Sequence, residues 1–435
     1  MKILKLSAVL LGISVAAEPS VIDTWPQFRG PGGDGHHGGP LPVKWSEGEN
    51  VRWKTPIHGK GWASPVIWGD QVWLATATED GRELSVVAVD RATGAVIRDL
   101  KLFEVETPQF CHRFNSYASP TPVIEQDRIY VTFGSPGIAC VDTRTGQVLW
   151  ERRDFECNHF RGAGASPILY RDLLILPFDG SDHQYIVALD KATGRTVWLT
   201  HRSVDFQDLD GDGQPKLEGD LRKAYATPHI ASFGGPDLLL SSGAMAHYAY
   251  DPLSGRELWR VEDRAAHSAS TRTAVGHGLV YVPTGWPNGQ LLAIRPGPNV
   301  EVLDVQAVDT PAARPLSVAW QVRRGVPRKP SVLVVDDLLF MIDDNGIASC
   351  LDARTGQEHW RERVAGDHSA SPIHAAGRIY FCNEIGKTAV VAADREFKLL
   401  AENQMGDGFM ASPAAAGRAL FLRSRTHLYC IEDTP

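Results

Sequence analysis

Residues 165–198, ASPILYRDLLILPFDGSDHQYIVALDKATGRTVW, decide the fold of this chain. The stretch opens with a small residue, Ser and Pro, and then passes through two β-rich runs, the second of which ends at Asp190. It closes through Ala-Thr-Gly on a run that contains Trp198. Runs of β-branched and aromatic residues joined by Gly or Asp turns are typical of antiparallel strands. The stretch therefore predicts one sheet of four short strands.

The same pattern recurs along nearly the whole chain. Six clear copies of its opening place a hydroxyl residue at Ser64, Ser119, Ser166, Thr227, Ser371 and Ser412. Two degraded copies lie around Ser270 and Ser331. Such a sheet cannot bury both faces alone, but it can when packed against like sheets in a ring. We therefore predict an all-β, eight-bladed β-propeller of four-stranded antiparallel blades over residues 45–435. Seven blades are the alternative, because a long segment at 296–315 blurs the fifth and sixth repeats.

Two further positions of the repeat have a physical role. The turn after the third run ends in Gly, which adopts a positive φ at no steric cost. This glycine occurs at Gly94, Gly146, Gly194 and Gly356. The fourth run usually ends in Trp, as at Trp150, Trp198, Trp259, Trp320 and Trp360. We expect this large flat side chain to fill the space between neighbouring blades.

The two ends of the repeat array predict how the ring closes. Trp53 precedes Ser64 by 11 residues, the same spacing that separates Trp360 from Ser371, yet no blade precedes it. The last repeat stops after its third run, at residues 428–431. We expect the N-terminal strand that carries Trp53 to complete the last blade, which would leave no open sheet edge.

This pattern resembles the PQQ-like β-propeller repeat family, which includes quinoprotein alcohol dehydrogenases and the BamB group of outer-membrane assembly lipoproteins. The resemblance rests on the motif Ala-x-Asp-x-x-Thr-Gly-x-x-x-Trp and covers residues 45–435. The opening WPQFRG at residues 25–30 is also similar to the start of exported members. The resemblance implies either a non-catalytic binding or scaffold protein of the periplasm or a quinone-dependent dehydrogenase of alcohols or sugars. A fold alone does not decide between them.

Differences between this sequence and the enzymes of the family favour a binding protein over a dehydrogenase. Those enzymes hold the quinone against a disulfide between adjacent cysteines, with calcium and a catalytic Asp nearby, and no two of the six cysteines here are adjacent. The chain is also short for that class, and the motifs H-E-x-x-H, G-x-S-x-G and C-x-x-C do not occur in it. We therefore predict a binding protein that is not an enzyme and that does not use PQQ. A quinoprotein oxidoreductase is the alternative.

The N-terminus predicts export. Lys2 and Lys5 precede an apolar run at residues 6–16 that is well below the roughly 20 residues a spanning helix needs. We expect residues 1–17 to be a signal peptide cleaved near Ala17, residues 18–44 to be a flexible arm, and the mature protein to be a periplasmic or secreted monomer with no membrane span. Unlike the BamB lipoproteins, the chain has no cysteine at this point. Its net charge of −8 disfavours nucleic acid as a partner.

The loops that lead into the first strand of each repeat predict a binding site. In a propeller these strands lie nearest the axis, so their entry loops gather at one mouth of the central channel. The loops contain histidine, aromatic, amide and cationic residues: His58, Trp62, His112, Asn115, Tyr117, His159, Arg161, Tyr225, His267, Lys329 and His368. We predict that they line a ligand pocket, for which sugars stacked on Trp62, Tyr117 and Tyr225 are one candidate. The alternative is a solvated rim whose histidines satisfy local backbone groups.

An insertion before the fourth repeat predicts a calcium site. Asp208, Asp210, Asp212 and Glu218 place carboxylates near a Gly-containing turn, as in the first half of a calcium loop. A complete loop has Glu at position 12, where this chain has Gly219. We predict calcium as a structural staple near the mouth, with a solvated acidic turn as the alternative.

The cysteines have two expected roles. Cys140, Cys350 and Cys430 occupy a small-residue slot of the third run, so we expect buried fillers. Cys111 and Cys157 lie in entry segments, where a disulfide and two free thiols are both open. A zinc site made of these two with His112 and His159 is disfavoured by its spacing.

Overall fold

The computed structural model describes residues 23–297, 301–306 and 316–433. The predicted signal peptide lies outside these residues, as does most of the 296–315 segment. Eight sheets of four antiparallel strands surround one axis, which confirms the eight-bladed propeller. The first strands of neighbouring blades contact one another, as blade 1 does with blades 2 and 8, so these strands line the channel.

The first four blades follow one another along the chain. Blade 1 consists of Val66–Trp68, Gln71–Ala77, Glu83–Asp90 and Val96–Glu104. Blade 2 consists of Val123–Glu125, Arg128–Thr132, Ile138–Asp142 and Val148–Arg152. Blade 3 consists of Ile168–Tyr170, Leu173–Asp179, Gln184–Asp190 and Thr196–His201. Blade 4 consists of His229–Ala231, Leu238–Ser242, Ala246–Tyr250 and Glu257–Glu262, and Glu301–Asp304 adds a fifth, parallel strand to it.

The remaining four blades complete the ring. Blade 5 consists of Ala274–Gly276, Leu279–Pro283, Leu291–Arg295 and Ser317–Val322. Blade 6 consists of Leu333–Val335, Leu338–Ile342, Ile347–Asp352 and Glu358–Arg363. Blade 7 consists of Ile373–Ala375, Arg378–Cys382, Lys387–Ala392 and Leu399–Gln404. Blade 8 consists of Ala414–Ala416, Ala419–Arg423 and His427–Ile431, and its fourth strand is Val51–Pro56.

The N-terminal strand closes the ring as predicted. Val51–Pro56 pairs antiparallel with His427–Ile431, and Trp53 lies opposite Cys430. Cys140 and Cys350 likewise lie opposite Trp150 and Trp360 and are fully buried. A small residue is needed at this slot because the Trp of the next strand packs across it, so the buried-filler prediction is confirmed.

A chain of hydrogen bonds explains the Ser or Thr that opens each repeat. The hydroxyl of one blade accepts a hydrogen bond from the backbone N–H at the same position of the preceding blade, at 2.8–3.0 Å. The hydroxyl acceptors are Thr121, Ser166, Thr227, Ser331, Ser371 and Ser412. Blade 2 therefore uses Thr121 and not the predicted Ser119. In blade 5 the position is held by Arg272 and not by Ser270. We call these positions, with Ser64 of blade 1, the hydroxyl ring.

Six fourth strands carry a Trp, and five of these side chains, all but Trp259, dock on the turn of the next blade as expected. The indole N–H donates to a carbonyl of that turn, for example from Trp150 to Lys191 O at 3.0 Å and from Trp360 to Asp394 O at 3.0 Å. The ring also lies against the turn glycine. A Cβ on Gly194 would lie 2.7 Å from the Trp150 ring. These glycines therefore allow close packing as well as a positive φ.

The N-terminal arm is ordered against the channel, so the prediction of a flexible arm is wrong for residues 25–37. Trp25 is fully buried and pairs through its backbone with Ile67 of blade 1. The arm then crosses the channel, and His36–His37 pairs in parallel with Ile373–Ala375 of blade 7. The apolar surface of Trp25 and the backbone pairing at both ends hold the arm in place.

Alternating strand direction divides the loops between two faces. The entry loops and the loops between second and third strands open on one side, which we call the entry face. The Thr-Gly turns and the loops between first and second strands open on the other, which we call the turn face. No helix within the described residues is long and apolar enough to span a bilayer.

Candidate functional site

One cluster of charges on the entry face lies where blades 3, 4 and 5 meet. The Lys223 ammonium is buried, bonds both the carboxylate and the carbonyl oxygen of Asp220, and lies 5.0 Å from the centre of the Phe160 ring. Arg161 Nη2 is 3.6 Å from Asp220 Oδ1. Burial, followed by the charges of Lys223 and Arg161, lowers the pKa of His267 to about 4. His267 is therefore neutral at pH 7.

A second cluster lies across the mouth, where blades 6 and 7 meet. Lys329 Nζ is 2.9 Å from Glu384 Oε1 and 3.8 Å from Asp344 Oδ1. The hydroxyl of Ser369 also donates to Glu384. Burial raises the pKa of Glu384, but the hydrogen bonds from Ser369 and Lys329 outweigh it and hold this pKa below its ordinary value. Burial raises the pKa of Asp344. The ionic groups of this cluster thus compensate one another.

An exposed aromatic residue stands between the two clusters. Trp286 pairs through its backbone with His267, and its side chain is about half exposed. The Arg328 guanidinium carbon lies 4.2 Å from the centre of the Trp286 ring. Sequence analysis missed Trp286, Arg328 and Lys223. Counting strand directions would have found Trp286, because it lies in a loop between a second and a third strand, on the same face as the entry loops.

Several of the predicted residues lie together around the first cluster. Asn115 Nδ2 donates to Arg161 O at 3.0 Å, and the backbone N–H of His112 donates to the same carbonyl. The Tyr225 hydroxyl donates to His159 O at 3.3 Å. These contacts connect the entry loops of blades 2, 3 and 4 into one wall of the mouth.

Other predicted residues lie elsewhere. Trp62 Nε1 donates to Phe114 O, and the Tyr117 hydroxyl donates to Gln109 O, so both belong to the boundary of blades 1 and 2. His58 Nε2 is 3.0 Å from Asp99 Oδ1 on the outermost strand of blade 1. The structure does not bring His58 to the mouth.

Two predicted histidines satisfy local backbone groups. His159 Nε2 accepts from the N–H of Ser135 at 2.9 Å, and His368 Nδ1 lies 3.0 Å from Gly366 O. Burial lowers the pKa of each ring to about 4. Neither imidazole can therefore carry a positive charge at pH 7, and both fit the structural alternative.

One small void lies beside this wall. An enclosed cavity lined by His159, Phe178 and Asp179 has a volume of about 10 Å³, roughly the room that one water molecule needs. The Asp179 carboxylate forms a buried two-pronged ion pair with Arg202, at 2.8 and 2.7 Å. The carboxylate therefore holds Arg202, which in turn donates to Ser241 and Tyr250 of blade 4.

The predicted calcium residues make other contacts. Asp208 accepts two hydrogen bonds from Arg222 Nε and Nη2, at 2.9 and 2.6 Å. Asp210 Oδ1 accepts from the backbone N–H groups of Asp212 and Gln214. Across the described ranges, no three His, Cys, Asp or Glu side chains gather as a metal site would require. Calcium at Asp208, Asp210, Asp212 and Glu218 stays a prediction.

The open question about the cysteines has an answer in the structure. All six are free thiols. Cys157 Sγ lies 3.6 Å from His159 Nδ1 in a buried site. Burial raises the pKa of Cys111 to about 11 and that of Cys157 well above its ordinary value. Neither thiol forms a nucleophilic thiolate at neutral pH.

The entry face also exposes five large apolar side chains from four loops. They are Phe110, Phe114, Leu217, Trp286 and Ile385, exposed by 68%, 50%, 67%, 50% and 63%. Protein surfaces that expose several large apolar side chains around a polar centre are characteristic of interaction sites.

Comparison with known proteins gives the family. The model of the family described as outer membrane protein assembly factor BamB matches residues 182–434, more than half of the chain. The chain belongs to this family. Its repeat is thus a PQQ-like propeller repeat, as the sequence motif suggested. No curated protein matches the chain.

Solved structures share the fold. BamB from Moraxella catarrhalis is 12% identical, with a TM-score of 0.57 over 87% of this chain and 96% of that one. A europium-containing methanol dehydrogenase is 14% identical, with a TM-score of 0.62 over 92% and 89%. Quinohemoprotein alcohol dehydrogenase from Comamonas testosteroni is 11% identical, with a TM-score of 0.65 over 96% and 82%. The same fold thus occurs in an assembly factor and in enzymes.

Proposed function

We propose that this chain is a non-catalytic propeller of the bacterial envelope that binds a protein partner through its entry face. The observation that carries the proposal is the set of apolar side chains exposed around the mouth, with Trp286 and Ile385 on opposite sides of Lys329. Aromatic residues and arginine are enriched at protein interfaces, and Trp286 with Arg328 supplies both.

The polar groups of the mouth support binding over catalysis. Asp220 and Glu384 are ion-paired to neighbouring lysines, and the nearby histidines His267 and His368 are neutral and buried. A general base needs an accessible atom and a pKa near the working pH. The pKa values of His267, His368 and Glu384 all lie below their ordinary values, so none of these three groups is tuned to neutral pH.

Partner capture from the native envelope tests the proposal. We expect the wild-type protein to retain a partner and the double variant Trp286→Ala, Ile385→Ser to bind it about thirtyfold more weakly, because a truncated aromatic anchor costs about 2 kcal/mol or more. Leu253→Ser is the matched control, since Leu253 is 49% exposed on the turn face. Equal retention by both variants would contradict a partner on the entry face.

The alternative function is that of a quinoprotein dehydrogenase of alcohols or sugars, because such enzymes share this fold. Two features of the chain favour the binding proposal over this alternative. In the part of the chain that the structure describes, no cluster of three metal-ligating side chains occurs, and the N-terminal arm occupies the channel. Quinone absorbance together with dye reduction, after addition of PQQ and calcium to the purified protein, would revive the alternative.

Location and assembly follow from the same proposal. The family description concerns the outer membrane, and we infer that the chain is exported, cleaved near Ala17 and monomeric in the periplasm or outside the cell. Mass spectrometry of protein purified from the envelope fraction should give an N-terminus at Glu18. An intact residue 1 on the mature protein would overturn this inference.

A further inference from the structure

One position of the hydroxyl ring differs from the others. Seven of its eight positions carry Ser or Thr, and blade 5 carries Arg272. The Arg272 side chain reaches the N-terminal arm, where Nη1 donates to Phe28 O at 2.6 Å and Nη2 donates to Gln27 Oε1 at 3.3 Å. Its Nε is buried and has no partner among the described residues.

A second guanidinium lies in the same part of the channel. Arg29 Nη2 donates to Val332 O at 2.9 Å and to Asp34 O at 2.8 Å, while Nη1 donates to Pro372 O. Arg29 and Arg272 are each only 2% exposed. Within the described ranges neither forms an ion pair with a carboxylate. All their hydrogen bonds therefore go to carbonyl and amide oxygens, and the one carboxylate that acts on both, Asp34, does so without a direct ion pair.

The two charges lie close enough to affect each other. Burial, and then the charge of Arg29, lowers the pKa of Arg272 to about 9. Burial also lowers the pKa of Arg29 to about 10, although the Asp34 carboxylate opposes this. A buried cation without a counter-ion is unfavourable unless an anion or strong acceptors compensate it.

A buried histidine adds a third unpaired group. His229 is 3% exposed, and its Nδ1 has no partner within the described residues. It occupies the same place in its strand as Leu333, whose Cδ1 lies 3.1 Å from the Cβ position of Gly35 in the arm. His229 therefore faces the same segment of the channel as Arg29 and Arg272.

We propose that a small anion, a halide or an oxyanion such as phosphate or sulfate, binds in the channel between Arg29, Arg272 and His229. These groups present N–H donors and two positive charges, and an anion would supply the missing acceptor. Because blade 5 has Arg272 where the other blades have Ser or Thr, it lacks the hydroxyl oxygen that could accept a hydrogen bond at this position. The anion would also tie blade 5 to the N-terminal arm, because Arg29 and Arg272 come from these two parts.

A bromide soak tests the site directly. Crystals of the wild-type protein grown without chloride and soaked in sodium bromide should show an anomalous peak bonded to Arg272 Nε. In solution, the thermal midpoint should rise by about 2 °C or more over a hundredfold increase in chloride, with gluconate keeping the ionic strength constant. Absence of the peak together with an unchanged midpoint would overturn the proposal and leave bound water as the acceptor.

Two variants distinguish anion binding at this site from a general effect of salt on the stability of the protein. Arg272→Ser restores the ring hydroxyl and should abolish the chloride dependence of the midpoint. Arg423→Ser is the matched control, because Arg423 is also buried and its Nη1 donates to two carbonyls, those of Ala63 and Ala75. It should lower the midpoint and keep the chloride dependence. Loss of the dependence in both variants, or in neither, would contradict the assignment to Arg272.

Discussion

Single side chains decide the electrostatics of the entry face. His368 is 1% exposed, and its ring donates from Nδ1–H to Gly366 O at 3.0 Å. Because burial holds its pKa at about 4, the folded protein keeps the ring neutral while the unfolded chain takes up a proton below its ordinary pKa of 6.5. The stability that depends on the neutral ring is therefore present above pH 6.5 and is lost as the pH falls toward 4.

The coupling between protonation of His368 and stability gives a prediction for one variant. Between pH 7 and pH 4.5, the wild-type protein should lose about 2–3 kcal/mol more free energy of unfolding than His368→Gln. Urea unfolding at the two pH values measures the difference. An equal loss in His368→Gln and the wild type would show that this ring does not titrate as described.

Single residues also mark the limit of sequence reasoning. The repeat pattern favours Ser119 because Ala118 precedes it and Pro120 follows it, but Thr121-Pro122 is the pair in the hydroxyl ring. Both pairs have the same local pattern, and only the bond to Ser64 of blade 1 distinguishes them. Arg272 could not be found by its pattern, because its partners Gln27 and Phe28 are more than 240 residues away.

Neighbouring blades are held together by one repeated contact. A Trp at the end of the fourth strand lies on the turn glycine of the next blade, and this glycine is constrained by its φ and by the ring against it. Gly194 has φ +72° and Trp150 on its Cβ side. Gly278 has the same φ, but open space surrounds its Cβ position. Comparing Gly194 with Gly278 therefore separates the cost of the positive φ from the cost of the contact with Trp150.

We expect Gly194→Ala to cost more than Gly278→Ala. Both substitutions force a non-glycine residue into the left-handed region, at about 1–2 kcal/mol. Only Gly194→Ala also displaces Trp150, which should add about 1–3 kcal/mol. Equilibrium unfolding of both variants measures the difference, and indole fluorescence should shift only in Gly194→Ala. Equal costs would mean that the Trp contact does not constrain the turn.

The N-terminal arm shows why composition misled the sequence analysis. Residues 30–35 are rich in Gly, which is typical of flexible segments, but Gly33 and Gly35 lie against the guanidiniums of Arg272 and Arg29. Their missing side chains make room for these groups. Glycine here marks a close approach between the arm and the channel wall, which no local pattern distinguishes from a loop.

The whole molecule was predictable from sequence because its architecture repeats. Eight copies of one pattern, with a Trp in the fourth strand of six of them, give the ring, and the unpaired strand with Trp53 gives its closure. The entry face was predicted only in part, since its loops vary in length and sequence from blade to blade. Its pairs, such as Lys329 with Glu384, join different blades and leave no periodic signal.

Both faces and the channel exist only if Val51–Pro56 completes blade 8. Hydrogen–deuterium exchange of the native protein, read by mass spectrometry, tests this most directly. Amides of residues 51–56 that bond to strand 427–431 should exchange as slowly as those of 427–431 themselves, because a closed ring opens only when the blade unfolds. Exchange of residues 51–56 at the rate of an exposed loop, with 419–431 still protected, would contradict the closed ring.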